Sequence, residues 1–286
     1  MAVPGYISED FLHSFITAAL AEDIGDGDHS TLAAIPENAA RRARLLVKDS
    51  GILAGVALAV RIFKHYDPDL NIETYLHDGA ILHRGDIAFS VSGSARSLLT
   101  TERLVLNCMQ RMSGIATKTQ HLVGLIAGTK AKLLDTRKTT PNFRLLEKWA
   151  VAIGGGENHR LGLFDMIMLK DNHTDMAGGI GQAINRTKEY LRAENKKLHI
   201  EVETRNLDEV RQVLDAGGVD VIMLDNMSTD QMKEAIQLID GRCKTEASGN
   251  ITEETIRNVA NCGVDYISVG ALTHSVKSLD LSLKAY

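Results

Sequence analysis

Six short apolar runs lie in the second half of the chain, and each leads into charged or small polar residues. The runs end near Asp135, Lys170, Glu203, Asp225, Glu246 and Gly270. Neighbouring ends are 21 to 35 residues apart, which leaves room for one strand, one helix and two loops. Buried parallel strands read as continuous apolar runs, and in parallel α/β barrels the carboxyl ends of the strands build the active site. The pattern therefore predicts a parallel α/β barrel with its chemistry at one end.

The N-terminal part of the chain has a different pattern. Glu9–Glu22 has a helical apolar stripe, and Ser8 is a plausible N-cap. Short strand-like runs dominate residues 43–91, and Val56–Tyr66 interrupts them as one helix. A sheet with a helix packed on it is expected here, which makes this part an α/β sandwich domain.

Two further helices are expected between the sheet and the first barrel strand. Thr100–Met112 carries a clear apolar stripe, and the following Ser113-Gly114 pair predicts its end. Ile115–Ile126 then predicts a separate helix. We place the domain boundary at this Ser-Gly pair.

At 286 residues, the chain is long enough for two domains. Residues 1–113 are expected to form the N-terminal α/β domain and residues 114–274 the barrel. The tail, residues 275–286, contains alternating leucines and is expected to pack back on the first domain as a strand or helix edge.

Composition excludes several classes of protein. A net charge of −5 and a pI near 6.1 provide no basic surface for nucleic acid or an anionic membrane. The first ten residues do not resemble a signal peptide, and no apolar run is long enough to span a bilayer. Cys108, Cys243 and Cys262 form no CxxC pair. We therefore expect a soluble cytoplasmic protein with reduced thiols.

The acidic segment Glu22–Thr31 has two interpretations. Its acids and glycines suggest a calcium loop, but it lacks the twelve-residue ligand spacing that ends in glutamate. A turn with helix-capping acids is favoured.

Cationic residues follow the first barrel strand and precede the second. Arg137 and Lys138 come directly after the first strand. The forked guanidinium of arginine can bind a carboxylate with two hydrogen bonds, and the compact ammonium charge of lysine can bind phosphate. His159 and Arg160 follow three glycines. The alternatives are a solvated loop for the first pair, and a flexible connector with a structural histidine for the second.

Carboxylates end the middle strands. Glu203 and Asp225, near Lys170, could hold Mg²⁺ bridged to substrate phosphates. Glu201 lies on the same strand face as Glu203, so either could point inward. No histidine has a zinc-like spacing.

The last two strands end in small residues. Ser248, Gly249 and Asn250 follow one strand, and Gly270 follows the other. Each group precedes a helix start, which is typical of the phosphate site that such barrels place after their final strands. The alternative for either glycine alone is a packing role.

Read in order, these segments resemble the quinolinate phosphoribosyltransferase family, also called nicotinate-nucleotide pyrophosphorylase (carboxylating). The resemblance spans nearly the whole chain and rests on EDIGDGD, TERLVLNCMQRMSGIAT, LDTRKTTP, GGGENHRLGLFDMIMLKDNH, EVE, IMLDN, EASGNIT and VDYISVGALTHS. It implies an open α/β barrel with fewer than eight parallel strands beside the N-terminal domain. It also implies a homodimer whose partner's N-terminal domain covers the barrel mouth.

The resemblance further implies a reaction and a set of roles. Quinolinate and phosphoribosyl pyrophosphate would give nicotinate mononucleotide, pyrophosphate and carbon dioxide with Mg²⁺. Quinolinate would be bound by Arg137, His159 and Arg160, with Arg103 from the other subunit. The expected catalytic residues are Lys138, Lys170, Glu203 and Asp225, which would also bind substrate. The lysines would bind anionic substrate groups, and the two acids would lie near the ribose and bind Mg²⁺ directly or through water. The 5′-phosphate would lie against Ser248, Gly249, Asn250 and Gly270.

One position departs from the family pattern. The frequent Ser-Gly-Gly occurs here as Ser-Gly-Asn, with Asn250 in place of the second glycine. Asparagine tolerates the left-handed backbone region better than most residues, which would preserve a phosphate site made of backbone amides.

Two rival classes of protein are a related protein found with molybdate transport and a non-catalytic barrel that binds phosphometabolites. The joint presence of DTRKTTP and NHR argues against the first.

Overall fold

The computed structural model describes residues 3–286. Within that range the strands are β1 (Ala40–Val47), β2 (Gly51–Ile52), β3 (Asn71–Thr74), β4 (Ile81–Leu82), β5 (Ile87–Ser94), β6 (Lys132–Leu134), β7 (Ile167–Leu169), β8 (Ile200–Thr204), β9 (Val221–Asp225), β10 (Lys244–Ser248), β11 (Tyr266–Ser268) and β12 (Leu281–Ala285). The helices are α1 (Glu9–Ile24), α2 (His29–Ala34), α3 (Val56–Tyr66), α4 (Ala95–Leu125), α5 (Arg144–Ile153), α6 (Asp171–Ala177), α7 (Ile180–Ala193), α8 (Leu207–Ala216), α9 (Thr229–Ile239), α10 (Ile256–Asn261) and α11 (Ala271–His274). No helix in residues 3–286 combines the length and apolar character needed to cross a membrane.

The chain forms two compact units. The first unit contains the chain up to Gln120, then Thr139–Gly155, then the chain from Leu272 onward. The second contains His121–Lys138 and Gly156–Ala271. The predicted boundary at residue 113 lies inside α4, and Thr139–Gly155, which the sequence assigned to the barrel, groups with the first unit.

An antiparallel sheet organises the first unit, with strand order β12-β1-β5-β3. Helix α3 has the bounds expected from the sequence. Its Phe63 is fully buried and meets Phe89 of β5 edge to face, with ring centroids 6.0 Å apart. Burying one such side chain stabilises the fold by roughly 1.5–3 kcal/mol. The tail after residue 275 forms β12, in which Leu281 pairs with Val47 of β1.

Helix caps fix the start of the chain. The Ser8 side chain accepts a hydrogen bond from Phe11 N at the start of α1, as expected. Asp28 caps α2 by accepting from Thr31 N at 3.0 Å. The acidic segment is therefore a turn with a capping acid, and the favoured interpretation is confirmed.

Helix α4 corrects a prediction, because it runs unbroken through Ser113 and Gly114. The hydroxyl of Ser113 is buried and both accepts from Ala54 N and donates to Ala54 O. A side chain at Gly114 would collide with the Lys277 carbonyl. The Ser-Gly pair therefore lets neighbouring backbone approach the helix instead of ending it.

Helix α5 explains why Thr139–Gly155 belongs to the first unit. Trp149 is fully buried there, and the buried Glu147 receives the Arg111 guanidinium of α4 at 2.8 Å. Phe143 packs on Phe15 of α1 with ring centroids 5.6 Å apart. A side chain at Gly154 would strike α4, so this first glycine of the three serves helix packing.

A parallel six-stranded sheet with order β6-β11-β10-β9-β8-β7 organises the second unit. The first strand in sequence thus lies beside the last, as in a barrel. Across the remaining gap between β6 and β7 the described residues form only an isolated bridge from Leu134 to Glu157. The open α/β barrel with fewer than eight parallel strands and the N-terminal α/β domain are therefore confirmed.

Candidate active site

Strand register brings the predicted carboxylates onto one face of the sheet. Glu203 pairs with Met223 of β9, and Met223 pairs with Glu246 of β10. One pleat repeat further along, Asp225 pairs with Ser248, and one repeat back lies Glu201. Residues in register on parallel strands, and residues two apart, share a face. The opposite face is apolar and fully buried, through Val202, Ile222, Leu224, Ala247 and Ile267.

Asp135 fixes the loop that carries the predicted His-Arg pair. It is fully buried directly after β6, and its carboxylate accepts from His159 N at 2.9 Å and from the Asn158 side-chain amide at 2.8 Å. A carboxylate buried this way stabilises the loop through charged hydrogen bonds. Asp135 therefore positions residues 158–160.

The hydrogen bonds of His159 define its tautomer. Its Nδ1 accepts from Arg160 N at 2.8 Å, so this nitrogen carries no proton. The other nitrogen, Nε2, is then the donor, and it lies 2.9 Å from Glu201 Oε2. Both ring nitrogens are therefore engaged by protein groups. A direct contact between His159 and a substrate carboxylate stays a prediction.

Two buried glutamates lie behind His159. Glu201 and Glu246 are each 1% exposed, and Glu246 Oε2 is 3.6 Å from His159 Nε2. Burial raises the pKa of Glu246 to about 8, and the neighbouring Glu201 charge adds to the effect. Burial likewise raises the pKa of Glu201 to about 7, opposed by the Arg160 charge. The pair therefore retains a proton near neutral pH.

These three side chains have the composition of a metal site, since their ligand atoms lie within 4.8 Å of one another. A histidine ligates a metal through an unprotonated nitrogen. In His159 that nitrogen is Nδ1, which is occupied by the Arg160 amide. The cluster thus fits a buried hydrogen-bonded network and does not fit a metal centre.

Arg160 and Lys170 act electrostatically on Glu201, so both lie near this network. Burial and the adjacent Arg137 guanidinium both lower the pKa of Arg160, while Glu201 and Asp165 oppose the shift. The electrostatic effect of Arg137 on Arg160 places the two guanidinium groups in the same region. Two neighbouring cations are chemically suited to a multiply charged anion. Lys170, after β7, lies 3.5 Å from Glu203 through its Nζ. Lys138 is exposed after β6.

Glu203 and Asp225 fit a magnesium ion by their chemistry. They are hard oxygen ligands at the ends of adjacent strands, on the same face, and Glu203 is 10% exposed. Magnesium proteins commonly supply one or two carboxylates and leave the other positions to water and phosphate.

The predicted phosphate residues follow β10 and β11. Gly249 has φ 91° and Asn250 has φ 50°, so both adopt the left-handed region. The Asn250 side chain donates to Asn226 Oδ1 at 2.9 Å, and Asn226 donates to Asp225 Oδ2 at 2.8 Å. Gly270 directly precedes α11. The loop after β10 is thus linked by side chains to the end of β9.

Several residues of this region were not among the expected site residues. Asp135 and Glu246 served only to mark strand ends, Glu201 was an alternative to Glu203, and Asn226 was part of a motif without a role. Alternation along β8 was the one signal that pointed to Glu201. Arg103 lies exposed on α4 in the first unit, and its expected role in another subunit stays a prediction.

We expect Glu246→Gln to flatten the dependence of stability on pH. The unfolded chain loses the Glu246 proton above the ordinary pKa of 4.5, whereas the folded protein holds it until about pH 8. The unfolding free energy of the wild type therefore falls as pH rises through this window. A difference of one bound proton changes the unfolding free energy by about 1.4 kcal/mol per pH unit. Between pH 6 and 8, the unfolding free energy of the variant should therefore fall by about 2 kcal/mol less than that of the wild type.

Urea unfolding at several pH values measures this difference. The exposed Glu189→Gln on α7 is the matched control and should follow the wild type. Parallel curves for Glu246→Gln and wild type would show that Glu246 is ionised in the folded protein at neutral pH.

Comparisons with known proteins agree over both units. Residues 28–113 match the model for "Quinolinate phosphoribosyl transferase, N-terminal domain", and residues 115–284 match the model for the C-terminal domain. The chloroplastic nicotinate-nucleotide pyrophosphorylase (carboxylating) of Arabidopsis thaliana is 50% identical, over 96% of this chain and 82% of its own length. A probable nicotinate-nucleotide pyrophosphorylase (carboxylating) of Bacillus subtilis is 44% identical, over 92% of this chain and 89% of its own.

Solved structures give the same result. The nicotinate-nucleotide pyrophosphorylase of Francisella tularensis superposes with a TM-score of 0.90 at 40% identity, covering 98% of each chain. Matches of this identity and coverage show more than a shared fold. The chain therefore belongs to the quinolinate phosphoribosyltransferase family.

Proposed function

We propose that the chain transfers the phosphoribosyl group of phosphoribosyl pyrophosphate to quinolinate and releases carbon dioxide, in de novo NAD biosynthesis. The products are nicotinate mononucleotide and pyrophosphate. The names of the relatives support this reaction. Among the structural observations, the strongest support is the gathering of cations and same-face carboxylates in one barrel.

The acceptor side of the site is cationic. Quinolinate carries two adjacent carboxylates, and Arg137 and Arg160 are the two guanidinium groups that lie close together. Bidentate hydrogen bonds from arginine suit a carboxylate. The backbone N–H of Arg160 donates a hydrogen bond to the His159 ring. His159 is in turn held by hydrogen bonds with Asp135 and Glu201. These residues orient the acceptor ring.

The donor side of the site stabilises separated charges. Departure of pyrophosphate leaves positive charge on the first carbon of ribose, and preorganised carboxylates at Glu203 and Asp225 stabilise it. Lys138 and Lys170 stabilise the negative charge that develops on the pyrophosphate leaving group. When bound, Mg²⁺ would be held by Glu203 and Asp225, directly or through water, and would neutralise pyrophosphate charge. No covalent nucleophile is required.

Decarboxylation follows transfer in this proposal. The new bond makes the ring nitrogen positive. When the adjacent carboxylate leaves as carbon dioxide, the electron pair of the broken bond stays on the ring carbon, where the positive nitrogen next to it stabilises the pair. The carbon then takes a proton. The 5′-phosphate is bound by the loop of Ser248, Gly249 and Asn250 together with Gly270.

A direct assay tests the proposed function. Incubation with quinolinate, phosphoribosyl pyrophosphate and Mg²⁺ should yield nicotinate mononucleotide, detected by chromatography. A barrel that only binds phosphometabolites, or a related protein with a transport role, would yield none. Formation of product would exclude both rivals.

Two finer proposals concern assembly and location. We propose a homodimer, or a higher oligomer built from it, in which Arg103 completes the site of the partner subunit. We also propose a cytoplasmic location, although relatives include chloroplastic and mitochondrial proteins. Neither nucleic acid nor a membrane is a proposed partner.

We expect Glu203→Gln and Asp225→Asn to weaken phosphoribosyl pyrophosphate binding in the presence of Mg²⁺ by tenfold or more. Each change removes a charged ligand, and the loss of one charged interaction is worth about 1.5–3 kcal/mol. Quinolinate affinity should stay within about threefold, since neither carboxylate is needed for its binding. Titration calorimetry separates the two ligands.

The exposed Asp215→Asn on α8 is the control and should change neither affinity. An equal loss of quinolinate affinity in the two site variants would show that these carboxylates organise the whole pocket. Unchanged affinity for both ligands would remove them from the site.

A further inference from the structure

Asn250 keeps the backbone shape that a glycine would provide at its position. Its φ is 50°, in the left-handed region, which glycine and asparagine adopt more readily than other residues. The substitution therefore leaves the path of the loop unchanged and adds a side chain with two donors and one acceptor. What that side chain binds defines its role.

The side chain of Asn250 binds Asn226, and the direction of this bond is fixed by chemistry. Asn226 lies 2.8 Å from Asp225 Oδ2. An ionised carboxylate only accepts hydrogen bonds, so the amide nitrogen of Asn226 must face it. The carbonyl Oδ1 of Asn226 then faces Asn250, which donates to it through Nδ2 at 2.9 Å.

Asn226, which links Asn250 to Asp225, is held in place by its surroundings. Asn226 also has a left-handed φ, 54°, and its backbone N donates to Ser248 O at 2.9 Å. A side chain at Gly249 would overlap the amide of Asn226. The Asn226 amide is thus seated against the loop after β10 and has little freedom to rotate.

The contacts constrain one oxygen of Asp225 and leave the other available. Oδ2 accepts the Asn226 amide, whereas Oδ1 accepts no hydrogen bond from residues 3–286. A carboxylate with one oxygen fixed presents its other oxygen in one orientation. Without Asn250, the Asn226 amide would lose the partner of its carbonyl.

We propose that Asn250 is a positioning residue for Asp225, acting through the Asn226 side chain. Hydrogen bonds thereby hold the loop of Ser248, Gly249 and Asn250 in a fixed position relative to the Asp225 carboxylate at the end of β9. This inference rests on the proposed use of phosphoribosyl pyrophosphate, whose 5′-phosphate and pyrophosphate ends would contact these two parts of the site. The rival role for Asn250 is a direct hydrogen bond to the phosphate.

A double-mutant cycle between Asn250→Gly and Asp225→Ala separates these roles. Glycine keeps the left-handed backbone and removes only the side chain. Titration calorimetry measures the affinity for phosphoribosyl pyrophosphate with Mg²⁺ in the wild type, both single variants and the double variant. Asn195→Gly is the matched control, because Asn195 is exposed, has φ 50° and follows α7 outside the site.

We expect Asn250→Gly alone to weaken binding about fivefold to tenfold, the size of one hydrogen bond. In the Asp225→Ala background the same change should have less than a twofold effect, because the residue being positioned is gone. Asn195→Gly should match the wild type.

Two results would overturn the inference. An equal loss in both backgrounds would make Asn250 a direct phosphate contact, and no loss in the wild-type background would leave it without a role. The fate of the proposed function is read separately, from product formation by the wild type. Binding without turnover would defeat the proposed function alone, and a wild type that does not bind phosphoribosyl pyrophosphate would defeat both.

Discussion

Arg137→Lys should lower kcat/KM for quinolinate by about 100-fold. Arginine offers a planar fork of donors that matches a carboxylate, and an ammonium group cannot reproduce that geometry. The loss of charged hydrogen bonds worth about 1.5–3 kcal/mol each corresponds to roughly 10- to 150-fold in rate. Steady-state kinetics with saturating phosphoribosyl pyrophosphate measures the effect.

The same geometry predicts strong discrimination against nicotinate. Nicotinate has one carboxylate, so it would make fewer charged hydrogen bonds with Arg137 and Arg160 than quinolinate does. Arg211 is exposed on α8, so Arg211→Lys is the control and should leave the kinetics with quinolinate and with nicotinate unchanged. Near-normal kinetics of Arg137→Lys with quinolinate, or comparable efficiency with nicotinate, would remove Arg137 from contact with the substrate.

The barrel could be predicted from the sequence because its signals are local. A buried parallel strand needs a continuous apolar run, and its end is marked by the first polar residues. Lys170 and Asp225 were located correctly in this way, directly after β7 and at the end of β9. Helix α3 was also predicted with its observed bounds, since one apolar stripe covers it.

The uninterrupted course of α4 could not be predicted, because its cause is distant in sequence. Ser113 and Gly114 are local helix-ending signals, yet they meet Ala54 and Lys277, which lie far from them along the chain. Tertiary packing overrides a weak local preference. Helix α5 joins the first unit for the same kind of reason, through contacts of Glu147 and Phe143 with α4 and α1.

The network behind His159 was hidden for a related reason. The apolar pattern placed a strand end near Glu246, whereas Glu246 lies in the middle of β10, and Glu201 lies near the start of β8. Their meeting with His159 depends on strand register, which apolar patterns do not fix for a sheet buried on both faces. The roles of the expected site residues themselves remain predictions for kinetics and binding to test.

Mixing two inactive variants should restore about a quarter of wild-type activity. We expect Arg103→Ala and Lys170→Ala each to be nearly inactive. If each site takes Arg103 from one subunit and Lys170 from the other, a mixed dimer has one intact and one doubly damaged site. Random pairing makes half of the dimers mixed, so one site in four is intact. The two variants are unfolded together, refolded and assayed.

The refolding experiment needs proof that subunits exchange. A distinguishing tag on one variant, followed by capture and mass measurement, counts the mixed dimers directly. Refolding each variant alone is the matched control and should give no activity, which excludes recovery through refolding itself. Arg103 is exposed on α4, so its loss should leave the fold of each chain intact. If mixed dimers form and activity does not return, Arg103 serves the site of its own chain or no site at all.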